Sequence, residues 1–330
     1  VVREVAKRFE HRLFLSATPH NGHSNAFAAL LEILEPNRFC RGVPVKDAKI
    51  LEPVMVRRLK EDLLDVGSAG FPKRSVVQID IGDLPDDAPD LLLPRLLDEY
   101  REVKEERLRA APRDAQYAAI LAIQSLQKRL LSSIEAFAST LRVHRRTVMS
   151  RAAAAPAPAA PIKQLDLGLL LEAPGQDDER ADLDEGELLA DEERQMEAAT
   201  RMAEDAAARD ERQAAKERAL LDRMTEIAEA SRHLADPRVH RLVDWIRKEL
   251  WPGLPPLGSA ERPTDAPRWK DRRVIIFTEY TDTKRYLEQR LGEAIRFADR
   301  ADDRIETFHG GGEMGRKKLE RIKQEFNGSP

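Results

Sequence analysis

Two small hydroxyl residues, Ser16 and Thr18, follow the apolar run Leu13-Phe14-Leu15, and Pro19 and the pair Asn21-Gly22 come directly after them. The run has the length of the end of a buried parallel strand. Proline then forbids further pairing, and Asn-Gly is a turn signal. Hydroxyls at the carboxyl edge of such a strand stand where open α/β sheets hold ligands, and they can pass hydrogen bonds between groups on either side. The same pattern also fits an ordinary strand exit whose Ser and Thr cap the turn. Composition alone favours that plainer reading.

Three other stretches carry polar groups at comparable places. Arg273-Val274-Ile275-Ile276-Phe277 runs into Thr278-Glu279-Tyr280, and Ile305-Glu306-Thr307-Phe308 runs into His309-Gly310-Gly311. Between Ile50 and Leu63, with Pro53 in the first turn, Val56, Leu59 and Leu63 make a helical stripe that leaves Arg57, Arg58 and Lys60 partly exposed. Such cations are either a solvated face or a phosphate-binding one. The sequence has no Gly-x-x-x-x-Gly-Lys-Ser/Thr loop to cradle phosphates and no Asp-Glu-x-His run.

The elements that must position these groups alternate in period. Val2, Val5 and Phe9 suggest a short opening helix, and Ser24 or Asn25 caps a second one over Ala26–Leu34 that buries Phe27, Leu30, Leu31 and Leu34. Val77, Ile79 and Ile81 alternate with polar neighbours as in a half-buried or edge strand. Leu93, Leu96, Tyr100, Val103 and Arg107 recur at helical spacing. Tyr117, Ile120, Leu121 and Gln124 begin a second helical run lasting to about Val148. Its basic end, Arg142, Arg145, Arg146 and Arg151 with His144, is either a phosphate-facing patch or a set of cations at a helix C-terminus. Residues 151–189, Ala/Pro-rich and then acidic, cannot bury enough apolar area to order themselves. Asp191–His233 reads as a protruding antiparallel helical arm. Asp236-Pro237 opens a helix that buries Val239, Leu242, Val243, Ile246 and Leu250 before Trp251-Pro252, residues 251–267 form a loop, and helices follow from Thr283 and from about Glu313.

Composition bounds the rest. The 330 residues are 42% hydrophobic and 35% charged, with a mean hydropathy of −0.54, which suits a helix-rich chain long enough for two domains. The single cysteine, Cys40, excludes a disulfide framework and a cysteine-based zinc site. No apolar run approaches the roughly 20 residues of a membrane span, and the first residues lack a signal-peptide pattern, so no membrane contact and a cytoplasmic setting are expected. The net charge of −4 is uneven: Glu172–Glu193 alone contributes −10, and the remainder is basic.

The string Ser16-Ala17-Thr18-Pro19-His20-Asn21-Gly22 resembles motif III of superfamily-two helicases in the variant of Swi/Snf-type DNA-dependent ATPases. Met55-Val56-Arg57-Arg58-Leu59-Lys60-Glu61-Asp62 is similar to that family's Leu-Arg-Arg-x-Lys segment, Val274–Tyr280 to motif IV, and Ile305–Gly311 with the helix after it to the following strand and Gly turn. Leu126–Ser133 resembles the family's leucine-and-lysine helix. The wording looks most like the bacterial branch of RNA-polymerase recyclers and DISARM-type phage-defence helicases. The resemblance spans roughly residues 8–81 and 236–328.

It implies an α/β fold: parts of two RecA-like lobes, parallel sheets flanked by helices, with a long helical insertion and a disordered acidic linker. Residues 1–70 would end the first lobe, 71–83 and 268–330 would begin the second, and 84–150 and 190–250 would be the insertion. It assigns Ser16, Ala17, Thr18 and Pro19 to coupling hydrolysis with movement, and Asn21, Arg57, Arg58, Lys60, Thr278, Tyr280, His309 and Gly310 to nucleic-acid contact. ATP and Mg²⁺ would be the parent's cofactors, double-stranded DNA its partner ahead of RNA, and defence or transcription proteins its further partners. The chain reads as a piece between motif III and motif V, catalytically silent by itself because the phosphate loop, the acidic motif and the arginine finger fall outside it. A non-enzymatic helical interaction module on a degenerate helicase scaffold, and an RNA helicase, are the alternatives.

Overall fold

The computed structural model describes residues 2–16, 24–43, 45, 48–58, 75–82, 84–152, 170, 185–208, 210–261, 269–308 and 312–328. They divide into two compact units, Val1–Gln78 and Ile79–Pro330.

In the first unit, α1 spans Val2–Ala6 and α2 spans Ser24–Leu34. Arg12 ties the two together: its Nε donates to the Ala6 carbonyl at 2.8 Å and its Nη1 to the Ile33 carbonyl at 2.7 Å. A guanidinium thus satisfies carbonyls that a helix end leaves without partners. Ala28, Leu31 and Phe39 are buried. Leu30, expected inside, lies outside. The helix expected to start at Pro53 does not form over its described part: Ala48–Ile50 is a 3₁₀ turn, Leu51–Val54 turns again, and Met55–Arg58 is irregular.

The second unit is built on five helices, α3 (Pro89–Leu108), α4 (Arg113–Ser132), α5 (Ile134–Ala152), α6 (Glu185–Ala206) and α7 (Glu211–Ser231). Helix α6 packs on α4 and α5, and α7 packs on α3 and α5, around one core that includes Leu93, Tyr100, Leu126, Phe137, Met196 and Leu221. Two expectations change here. The apolar run from Tyr117 to Val148 is two helices, because Ser133 adopts extended backbone (φ −162°, ψ 153°) and its side chain caps the next helix by accepting from the Ala136 amide at 3.1 Å. The charged arm does not protrude: Met196, Met202 and Met224 are buried in the bundle, and helix begins at Glu185 rather than after Leu189.

Helices α8 (Pro237–Glu249), α9 (Thr281–Ile295) and α10 (Gly312–Asn327) complete the unit. Asp236 caps α8 by accepting from the Val239 amide at 2.9 Å, with Pro237 in the first turn as expected. A second core joins α8 and α9 around Val243, Ile246, Trp251 and Leu291, and Trp251 stacks on Trp269 at 5.1 Å.

The α/β expectation is overturned. Among the described residues there is helix and no strand, so the parallel sheets of two RecA-like lobes are not formed. Leu13–Leu15, Val76–Ile81, Val274–Phe277 and Ile305–Phe308 carry no regular secondary structure, with Leu15 88% and Phe277 90% exposed. An apolar run becomes a strand only when a neighbour supplies the facing N–H and C=O groups. The Val274–Phe277 run, which has the composition of a strand buried on both faces, instead leaves its side chains exposed.

Candidate functional site

The residues with expected roles fall into three sets. Ala17, Thr18, Pro19, Asn21, Lys60, His309 and Gly310 lie outside the described residues. Ser16, Arg57 and Arg58 are exposed in the first unit, all on irregular backbone. Thr278 and Tyr280 belong to the second unit and are the two that the structure sets in a built environment.

Thr278 and Glu279 rim a crevice of about 310 Å³ that runs between the start of α9, the start of α8 and the α4–α5 elbow. Asp236, Arg238 and Ser132 complete its polar rim, and Val239, Leu242 and Leu287 form its apolar floor. Tyr280, by contrast, points inward. Its ring is buried beneath the Arg129 guanidinium at 4.6 Å, and Arg129 in turn donates to Ser125 Oγ at 2.7 Å and pairs with Glu192 at 2.6 Å. Burial first, and then the neighbouring Glu279 carboxylate, push the Tyr280 hydroxyl up to about 12, so it stays protonated. Tyr280 therefore anchors the segment, while Thr278 meets solvent.

Three residues after Tyr280, Thr283 is buried with its Oγ1 2.7 Å from Ser132 Oγ and 2.8 Å from Ser133 Oγ. The hydroxyl cluster fastens the first turn of α9 to the α4–α5 elbow. Beside it, Tyr286 accepts from the Asp236 amide at 2.9 Å and donates to the Leu234 carbonyl at 2.8 Å. Burial raises the Asp282 carboxyl and, reinforced by Asp236, raises that of Asp90. Thr283→Val is expected to destabilise the second unit by about 1–3 kcal/mol, because it removes the hydroxyl partner of Ser132 and Ser133 and leaves buried Ser133 with only the Ala136 amide. Urea unfolding at neutral pH measures this, and an unchanged midpoint would show that the cluster does not hold the elbow.

The crevice offers hydroxyls, a guanidinium and two carboxylates, but no histidine lines it to draw a proton from a hydroxyl. Arg238 is already engaged by Asp236 at 2.9 Å and by the Leu131 carbonyl. No group of His, Cys, Asp and Glu among the described residues could hold a metal ion.

Three arginines at the basic end of the second long helical run turn out to be internally paired. Arg142 meets Glu229 at 2.7 Å, Arg145 meets Asp222 at 2.6 Å, and Arg151 pairs with Asp205. His144 is buried, 2.7 Å from both Tyr100 Oη and Thr200 Oγ1. Deeper in the bundle Lys104 contacts Glu217 at 3.2 Å and also Glu204, while Arg107 contacts Glu204 at 3.6 Å and also Glu217. The charges are sorted: in these pairs the cations stand on α3, α4 and α5 and the anions on α6 and α7. The reverse occurs at the cap of α7, where Arg232 meets Glu135 at 2.5 Å.

Arg129, Ser132 and Ser133 were not singled out as site residues from sequence. The usable signal was the Ser-Ser pair ahead of Ile134, which interrupts an otherwise continuous helical pattern. No family model matches the chain, and no curated protein or solved structure matches it either.

Proposed function

We propose that the chain works within an ATP-dependent translocase on double-stranded DNA, as a part that engages nucleic acid and transmits movement rather than the part that hydrolyses ATP. The observation that carries this reading is the order of four strings in one chain: Ser16–Gly22, Met55–Asp62, Val274–Tyr280 and Ile305–Gly311. The anchoring of Tyr280 and Thr283 to the five-helix bundle supports a transmitting role, because displacement of the Thr278 segment would be carried into α4 and α5 through Arg129 and the serine pair. A cytoplasmic setting goes with the reading, and no helix among the described residues is long and apolar enough to cross a membrane.

ATP and Mg²⁺ do not fit the groups in hand. The sequence has no glycine-rich phosphate loop, and the described residues present no metal-holding carboxylate set. No chemical step is therefore assigned to this chain. A second reading, a non-enzymatic helical interaction module, draws on the bundle itself, whose core holds Leu93, Tyr100, Leu126, Phe137, Met196 and Leu221.

The coding sequence ahead of Val1 separates the two. A Gly-x-Gly-Lys-Thr-like loop and an acidic Walker-B-like motif are expected there, with ATP hydrolysis by the encoded polypeptide stimulated by duplex DNA. Their absence would leave the interaction module, and stimulation by RNA but not by duplex DNA would reassign the motor's track.

A further inference from the structure

The solvent side of the α5–α7 seam carries three arginines on one helix. Arg142, Arg145 and Arg146 stand at i, i+3 and i+4 on α5, the spacing that places side chains on a common face. Arg142 is 54% and Arg145 39% exposed, and their partners Glu229 and Asp222 are 40% and 55% exposed. Arg146 beside them is exposed and makes no ion pair among the described residues. Ion pairs this open are worth little, so an incoming anion meets a small barrier to exchanging with the carboxylates. Phosphate oxygens match the guanidinium fork at least as well as a carboxylate does.

We propose that Arg142, Arg145 and Arg146 form a phosphate-binding row for a nucleic-acid duplex, and that Asp222 and Glu229 of α7 occupy that row as built-in competitors. Phosphates replace the two carboxylates while α5 and α7 stay packed, because the deeper pairs of Lys104, Arg107 and Arg129 lie inside the bundle and take no part. Arg232 retains Glu135 when Glu229 is displaced. A duplex suits the row better than an acidic polypeptide does. Its charges are dense and evenly spaced along a stiff rod, and three cations fixed on one helix gain from releasing its condensed counterions together. The inference rests on the nucleic-acid reading above.

The test is anisotropy of a fluorescently labelled duplex DNA with the full chain at low and moderate salt. Asp222→Asn with Glu229→Gln frees the row and is expected to tighten binding about tenfold over the unaltered chain. Glu99→Gln with Glu102→Gln, two exposed carboxylates on α3, changes net charge equally and is expected to tighten it far less. Adding Arg142→Gln and Arg145→Gln to the first variant should abolish the gain and lower the salt slope by about 2. Amide exchange in α7 should be unaltered by DNA. Equal gains in the charge-matched control, retention of the gain without the two arginines, loss of α7 protection on binding, or equal competition by poly-glutamate would each overturn the proposal. So would the absence of duplex binding by every variant. The motor reading is judged separately, by the upstream motifs and DNA-stimulated hydrolysis, and can fail or stand independently of these outcomes.

Discussion

Replacing Glu217 with alanine should destabilise the second unit by about 3–5 kcal/mol, a large part of the stability of an ordinary domain. Glu217 is fully buried on α7 and receives both Lys104 and Arg107 from α3. Without it two cations share the single carboxylate of Glu204, in a place that water does not reach. Lys104 already shows the strain of that location: burial brings it down to about 8, and Glu217 is the partner that opposes the fall. Its folded value lies below the ordinary 10.5, so the folded chain releases the proton first. Stability should therefore rise as pH climbs from about 8 towards 10, a gain that Lys104→Met should lose.

Urea unfolding followed by circular dichroism measures both effects. Joint replacement of Lys104, Arg107, Glu204 and Glu217 by apolar residues of similar volume is expected to recover most of the loss, since a well-packed apolar set often equals a buried ionic one. If Glu217→Ala cost no more than Glu105→Ala on the exposed side of α3, the cluster would not be what aligns α7 with α3.

That cluster also shows where sequence reading reaches its limit. The i, i+3, i+4 pattern from Leu93 to Arg107 was legible, and α3 buries Leu93, Tyr100 and Val103 as expected. Arg107 was visible as a member of the stripe, but Lys104 was not, because a lysine on an apolar face is ordinarily a solvated edge. Its partners are about a hundred residues away on α6 and α7, beyond any local pattern. Local chemistry was legible where one residue pair decides the outcome, as with Asp236-Pro237 at the start of α8. The expected sheet failed for the opposite reason. Val274–Phe277 and Leu13–Leu15 have the composition of buried strands, but strand formation is a property of neighbours, and those runs have no ladder here. At the candidate site, Thr278 and Tyr280 could be named from the sequence. Their division of labour, one exposed and one anchored under Arg129, could be seen only after α4 was placed beside them.

Acidification should weaken the same bundle through His144. Its ring is fully enclosed between α3, α5 and α6, with Nε2 2.7 Å from Tyr100 Oη and Nδ1 2.7 Å from Thr200 Oγ1. Thr200 donates its own proton to the Met196 carbonyl at 2.7 Å, so its oxygen accepts from His144 Nδ1–H and the tyrosine hydroxyl donates to Nε2. Every donor in that chain is used once, and a second ring proton would have no acceptor. Burial first, with the Lys104 charge adding to it, brings His144 down to about 3. The unfolded chain takes up this proton near 6.5 and the folded chain does not, so the contribution is complete above 6.5 and is lost as pH falls towards 3. At up to about 1.4 kcal/mol per pH unit, moving from pH 6.5 to 4.5 should remove about 2 kcal/mol. The buried carboxyls of Asp90, Glu192 and Asp282 act in the other direction, since burial raises them and the folded chain binds their protons first. His144→Phe combined with Tyr100→Phe removes the titrating ring and the hydroxyl that would be stranded without it. Urea midpoints at pH 7.0, 5.5 and 4.5 should then fall much less steeply for the double variant than for the unaltered chain. Parallel slopes would show that His144 is not the group that the bundle holds neutral.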